Sequence, residues 1–76
     1  MNTFETVSKI ISEQLGLSAD FAFSKETTWE ELGADSLDLV EIVMSIEDEF
    51  GVEIPDEKLF GMENMGDLVS FIESIK

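Results

Sequence analysis

A single serine stands among acidic residues in the stretch GADSLD, residues 33–38, just ahead of a long helical pattern. A serine acts as a nucleophile when a neighbouring base takes its proton, and histidine usually supplies that base. The sequence has no histidine, and the carboxylates of Asp35 and Asp38 are weak bases. We therefore do not expect Ser36 to be a catalytic nucleophile, although its hydroxyl could be modified by another enzyme.

The local pattern offers two structural roles for Ser36. Asp35 is suited to be the N-cap of the following helix, because Asp38 stands three residues later, in the reciprocal position of a capping box. In that arrangement the Ser36 hydroxyl lies in the first turn and points to solvent. In the alternative, Ser36 is the cap and Asp35 is an acid near the positive end of the helix. A phosphodiester on Ser36 would lie at a helix N-terminus, which favours an anion.

The composition excludes several classes of function. The chain has 76 residues with neither cysteine nor histidine, so disulfides, thiolate metal sites and the commonest catalytic base are all absent. One domain of this size, residues 1–76, leaves little room for a deep active site, and we expect no enzymatic activity. No secretory signal or membrane-spanning run is recognisable, so the cytoplasm is the expected location.

The charge indicates which partners the protein would attract. Eighteen acids against four lysines give a net charge of −14 at pH 7. Nucleic acid and anionic membranes would repel this chain, whereas basic protein surfaces would attract it. Apolar residues recur with a period, which disordered acidic segments do not show. We expect a folded monomer that binds no nucleic acid and does not insert stably into membranes.

The apolar periodicity predicts an all-α fold, a small four-helix bundle of three main helices and one short helix. The main helices are predicted at residues 3–15, 36–50 and about 65–75. The short helix is predicted at about residues 56–60, with Asp56 able to cap it. Residues 17–35 form a long loop, with a helical turn near 28–32. Four apolar side chains are expected to pin this loop: Phe21, Phe23, Trp29 and Leu32.

The helix predicted at residues 36–50 has two apolar faces. Its core stripe comprises Leu39, Ile42, Val43, Ile46 and Phe50. A second apolar strip lies about 100 to 160° from the centre of that stripe and is edged by carboxylates. We interpret it as a docking surface for basic partners, although scattered exposed apolar residues and a solvated acidic face are the simpler alternative. This docking surface consists of the apolar Leu37, Val40 and Met44, with Glu41, Glu47 and Asp48 beside them.

The acidic residues also raise the question of metal binding. No Asp-x-Asp-x-Asp-Gly loop with a downstream Glu is present, so a calcium site of the EF-hand type is excluded. We predict no specific metal site. Weak binding of divalent ions remains a hypothesis for five carboxylates, Asp35, Asp38, Glu47, Glu53 and Asp56. Simple counterion screening is the alternative.

The stretch LGADSLDLVEIVMSIEDEFGVEIPDE, residues 32–57, resembles the central part of an acyl carrier protein. The DSL triplet at residues 35–37, the acidic helix after it and the IPD triplet at residues 54–56 follow the order and spacing of that family. MGDLVSFI, residues 65–72, is similar to the family's last helix. The resemblance implies a four-helix carrier whose Ser36 receives 4'-phosphopantetheine from coenzyme A through the magnesium-dependent holo-acyl-carrier-protein synthase.

The same resemblance implies a function. The attached 4'-phosphopantetheine is a flexible arm that ends in a thiol. A chain without cysteine can therefore carry growing acyl groups as thioesters between the enzymes of fatty-acid or related synthesis. The implied partners are acyltransferases, ketoacyl synthases, reductases and dehydratases, which meet the docking surface through basic patches. By position, the resemblance adds Asp35 and Asp38 to this docking surface. A polyketide carrier and a peptidyl or aminoacyl carrier are alternatives within the fold. An acidic interaction module that is not a carrier is the alternative outside it.

Overall fold

The helical architecture agrees with the prediction. The computed structural model describes residues 2–18 and 21–75, so positions 19 and 20 of the predicted loop, and residues 1 and 76 of the predicted domain, lie outside the described residues. Within the described ranges no strand forms, and the predicted all-α fold with three main helices is confirmed. The helices are α1 (Thr3–Leu15), α2 (Trp29–Leu32), α3 (Ser36–Phe50), α4 (Asp56–Leu59) and α5 (Met65–Ile75).

The ends of the helices follow from local chemistry in most cases. Gly16 and Gly51 end α1 and α3 with positive φ angles of 67° and 66°, a conformation that glycine adopts without steric cost. The prediction that Asp56 caps the short helix is wrong. Pro55 is the N-cap, since its ψ of 140° is extended and its carbonyl already accepts the first helical bond, from the N–H of Leu59 at 3.1 Å. Asp56 is therefore the first helical residue. The helix ends at Leu59, with Phe60 as its C-cap.

The apolar faces of the long helices meet in one core. α1 packs against both α3 and α5. In the predicted core stripe of α3, Phe50 is half-buried and the other four residues are buried. The fully buried side chains with the largest volumes are Ile11, Ile42, Ile46, Leu59, Met65, Leu68, Ile72 and Val7. None of the described helices has the length and apolar character that crossing a bilayer requires.

The long loop is pinned as predicted. Trp29 and Leu32 are buried, whereas Phe21 and Phe23 are half-buried against the core with their ring centroids 4.8 Å apart. The Trp29 Nε1–H also donates a hydrogen bond of 3.2 Å to the backbone carbonyl of Met62. The loop is therefore held both by apolar contacts and by a polar link to the segment before α5.

The same loop caps the N-terminus of α5. The N–H of Met65 donates to the carbonyl of Thr27 at 3.0 Å, and the N–H of Gly66 donates to the carbonyl of Lys25 at 2.8 Å. These N–H groups belong to the first turn of α5 and have no partner within the helix. An isolated antiparallel bridge between Thr28 and Asn64 continues the contact. Carbonyl groups of the loop thus accept hydrogen bonds from the N-terminal N–H groups of α5. Sequence periodicity alone had not identified these acceptors.

Candidate functional site

The turn between α2 and α3 places Ser36. Gly33 ends α2 with a φ of 75°, and its N–H donates to the carbonyl of Glu30 at 3.0 Å. The N–H of Ala34 donates to the carbonyl of Trp29, also at 3.0 Å. Since Trp29 is buried, this tight turn fixes the start of α3 relative to the core.

The first turn of α3 confirms the capping box. The Asp35 Oδ1 accepts a hydrogen bond of 2.9 Å from the N–H of Asp38, and the Asp38 Oδ2 accepts one of 3.4 Å from the N–H of Asp35. Asp35 is extended, as an N-cap should be, and Ser36 is the first helical residue. The alternative in which Ser36 caps the helix is therefore wrong.

This cap leaves the serine available for modification. Ser36 is exposed, and its hydroxyl has no hydrogen-bond partner in the described part of the chain. The two adjacent carboxylates are used in the cap, and the sequence has no histidine to act as a base. A phosphodiester on Ser36 would lie at the N-terminus of a 15-residue helix, where the dipole favours an anion and offsets some of the repulsion from Asp35 and Asp38.

An exposed apolar ridge follows the serine along α3. The side chains of Leu37 and Met44 are 68% and 59% exposed, so both can contact a partner. Glu41 and Asp48 are also exposed, whereas Val40 is half-buried and packs against the core. Val40 thus forms the edge of the docking surface and not its centre.

Two carboxylates of the docking surface are bound to neighbouring elements. The Glu41 Oε2 accepts a hydrogen bond of 2.7 Å from the Nε2 of Gln14 in α1. The Glu47 Oε2 accepts one of 2.7 Å from the N–H of Ile54, and Glu47 is half-buried. Sequence reasoning missed both contacts, and no local pattern marks Gln14. Glu47 holds the loop after α3, in addition to its predicted place on the surface.

The carboxylates proposed for weak ion binding separate into two places. Asp35 and Asp38 form the cap, whereas Glu47, Glu53 and Asp56 line an open pocket next to the loop after α3. Among the residues that the structure describes, no group of three or more metal-ligating side chains is placed to hold an ion. Weak divalent-ion binding stays a prediction.

The comparison with known families decides the identity. The sequence profile of the family described as "Phosphopantetheine attachment site" matches residues 5–72. This chain belongs to that family of carrier proteins. Carriers of this family bear 4'-phosphopantetheine and are not enzymes, so the predicted cofactor and the predicted lack of catalysis are both confirmed. The arm supplies the thiol that the chain itself lacks.

Solved structures of acyl carrier proteins share the fold of this carrier. The protein from Enterococcus faecalis is 35% identical with a TM-score of 0.79, and the match covers 100% of both chains. The protein from Thermotoga maritima is 31% identical with a TM-score of 0.79, covering 97% of this chain and 89% of that one. The acetyl actinorhodin carrier from Streptomyces coelicolor, 24% identical with a TM-score of 0.77, covers 93% and 86% and shows the fold alone.

Proposed function

We propose that Ser36 is the residue that bears 4'-phosphopantetheine, and that this carrier holds growing acyl chains as thioesters for fatty-acid synthesis in the cytoplasm. One observation carries the assignment of the residue. The Ser36 hydroxyl is exposed at the first turn of α3 because Asp35, and not Ser36, accepts the capping hydrogen bond from Asp38. Within the DSL triplet it is the one side chain that can form a phosphodiester.

The attachment step needs a partner enzyme. The Ser36 oxygen would displace the adenosine bisphosphate part of coenzyme A at phosphorus, and its proton would pass to a base of holo-acyl-carrier-protein synthase. This carrier contributes an accessible hydroxyl and a helix N-terminus that favours the resulting anion. The base is expected from the partner, because the sequence has no histidine and the carboxylates of Asp35 and Asp38 are weak bases.

Docking is proposed to combine charge with the apolar ridge. The net charge of −14 would draw basic partner surfaces from a distance, and the exposed Leu37 and Met44 would then be buried against them. Glu41 and Asp48 stand beside the ridge for basic side chains. The proposed partners are the synthase and the acyltransferases, ketoacyl synthases, reductases and dehydratases that act on the cargo.

Intact-mass measurement tests the attachment. Incubated with coenzyme A, magnesium and holo-acyl-carrier-protein synthase, the chain should gain one phosphopantetheine. Ser36→Ala should gain none, whereas Ser45→Ala, a matched change in the same helix, should gain one. Modification of the Ser36→Ala chain would overturn the assignment.

The pathway is a separate question, which the cargo answers. An Asp directly before the serine resembles acyl carriers more than peptidyl carriers, which supports the fatty-acid proposal. The likeness to the carrier of the actinorhodin polyketide synthase is one of fold and favours neither pathway. Mass spectrometry of the protein from its native cells should show saturated and β-hydroxy acyl groups on the arm. A polyketide or aminoacyl group on the arm would overturn the fatty-acid role, whereas the assignment of Ser36 as the attachment residue would stand.

A further inference from the structure

One hydrogen bond connects α1 directly to the docking surface. The Nε2 of Gln14 donates to the Oε2 of Glu41 at 2.7 Å, although the two residues are 27 positions apart in sequence. Both side chains are exposed, so burial does not force them together. Gln14 projects from a rigid backbone, because Ile11, one turn earlier, is fully buried and α1 packs against α3.

The bond restricts the Glu41 side chain without cancelling its charge. An exposed glutamate samples several rotamers, and ordering it on binding costs free energy. The neutral Gln14 amide fixes one carboxylate oxygen and leaves the second oxygen, Oε1, to accept from a basic group. A lysine in place of Gln14 would hold the carboxylate as well but would cancel the charge that a basic partner requires.

The other carboxylate with an anchor behaves differently. Glu47 is half-buried and accepts from the N–H of Ile54, so its bond serves the loop after α3. Glu41 is exposed beside Leu37 and Met44, and its bond to Gln14 joins two side chains whose helices are already packed together. The Gln14 contact is therefore better suited to orient a charge than to stabilise the fold.

We propose that Gln14 is a positioning residue of the docking surface, which holds the Glu41 carboxylate ready for a basic side chain of the partner enzyme. The inference rests on the proposed function, because it assumes that partners bind at Glu41. It adds a residue from α1 to a surface that was otherwise assigned to α3.

A double-mutant cycle tests the inference. The kcat and KM of holo-acyl-carrier-protein synthase would be measured at low ionic strength. The substrates would be the wild-type chain, Gln14→Leu, Glu41→Ala and the double variant, all without phosphopantetheine. Gln14→Leu should raise KM about threefold with kcat unchanged, which corresponds to the lower part of the range for one hydrogen bond. In the Glu41→Ala background the same change should have no effect.

The outcomes separate the inference from the proposed function. If Glu41→Ala leaves KM unchanged, docking at Glu41 is wrong, and the positioning role falls with it. If Glu41→Ala raises KM but Gln14→Leu does not, or acts equally in both backgrounds, the positioning role is overturned and docking stands. The side-chain amide resonance of Gln14 gives a readout without any partner: it should shift in Glu41→Ala, and an unchanged resonance would contradict the contact.

Discussion

Asp35 and Asp38 cap each other's backbone on either side of Ser36. The Oδ1 of Asp35 lies 2.9 Å from the amide nitrogen of Asp38, and the Oδ2 of Asp38 lies 3.4 Å from that of Asp35. This exchange begins α3 and leaves the serine hydroxyl outside the cap. The start of the helix and the accessibility of the proposed attachment residue thus depend on the same two aspartates.

Substitution of Asp35 should separate its role in the cap from its charge. Asp35→Ala removes the side-chain acceptor and should lower the free energy of unfolding by about 1 kcal/mol, whereas Asp35→Asn keeps an acceptor and should lose little. Urea denaturation measures both. Ser36→Ala is the control and should stay within about 0.5 kcal/mol of the unmodified chain, because the hydroxyl takes no part in the cap. A larger loss for Ser36→Ala than for Asp35→Ala would contradict the cap assignment.

Gly66 should not tolerate a side chain, although it lies in a helix. A Cβ there would stand 2.8 Å from the carbonyl oxygen of Lys25 and 3.1 Å from its Cβ, so the capping loop would have to shift. Alanine normally favours a helix over glycine by about 1 kcal/mol, yet Gly66→Ala should lower the free energy of unfolding by about 1–2 kcal/mol. Gly61→Ala, at a position outside the helices, is the control for adding a Cβ without a close contact, since the nearest atom to that Cβ is 3.6 Å away. Stabilisation by Gly66→Ala in thermal unfolding would show that the loop yields easily.

Glu47 should matter for the fold as well as for docking. Glu47→Ala leaves the N–H of Ile54 without its acceptor in a partly buried place, and we expect a loss of about 1–2 kcal/mol in the free energy of unfolding. Glu47→Gln keeps an oxygen that can accept and should lose much less. If both variants unfold at the same urea concentration as the unmodified chain, the contact contributes nothing to stability.

Alanine substitutions at two residues of α3 should affect different properties, stability at one and partner binding at the other. Ile46 is fully buried, and Ile46→Ala should lower the free energy of unfolding by about 2–5 kcal/mol. Met44 is 59% exposed, and Met44→Ala should change stability by less than about 0.5 kcal/mol while weakening the binding of a partner enzyme. Helicity by circular dichroism and partner affinity would be measured on the same samples. Loss of helicity in Met44→Ala would indicate that Met44 stabilises the fold and would contradict its assignment to the docking surface.

Salt should stabilise this protein. With 18 acids and four lysines the carboxylates repel one another in the compact state, and about 0.1 M salt reduces the screening length to about 10 Å. A gain of about 1 kcal/mol would raise the melting temperature of a domain this small by about 4–8 °C. Thermal scans with sodium chloride and magnesium chloride at equal ionic strength measure it. A flat response would remove the self-repulsion argument, and a larger effect of magnesium would indicate weak binding.

The sequence by itself determined the features that depend on neighbours along the chain. The capping box joins residues three apart, and the glycines at 16 and 51 end the helices through their own backbone freedom. The separation of the buried Ile46 from the exposed Met44 follows from helical periodicity in the same way. Short-range spacing is written in the sequence, so these elements were predictable. The sequence left open whether Asp35 or Ser36 caps α3, and the structure assigned the cap to Asp35.

The tertiary structure alone decided which distant groups meet. Gln14 reaches Glu41 across 27 positions, and the Trp29 indole reaches the carbonyl of Met62 across 33. The capping of α5 by the carbonyls of Thr27 and Lys25 also joins segments far apart in the chain. Periodicity reports the face of a helix on which a residue lies but not the neighbour packed against that face. The orientation of the Glu41 carboxylate is therefore a product of how α1 packs on α3.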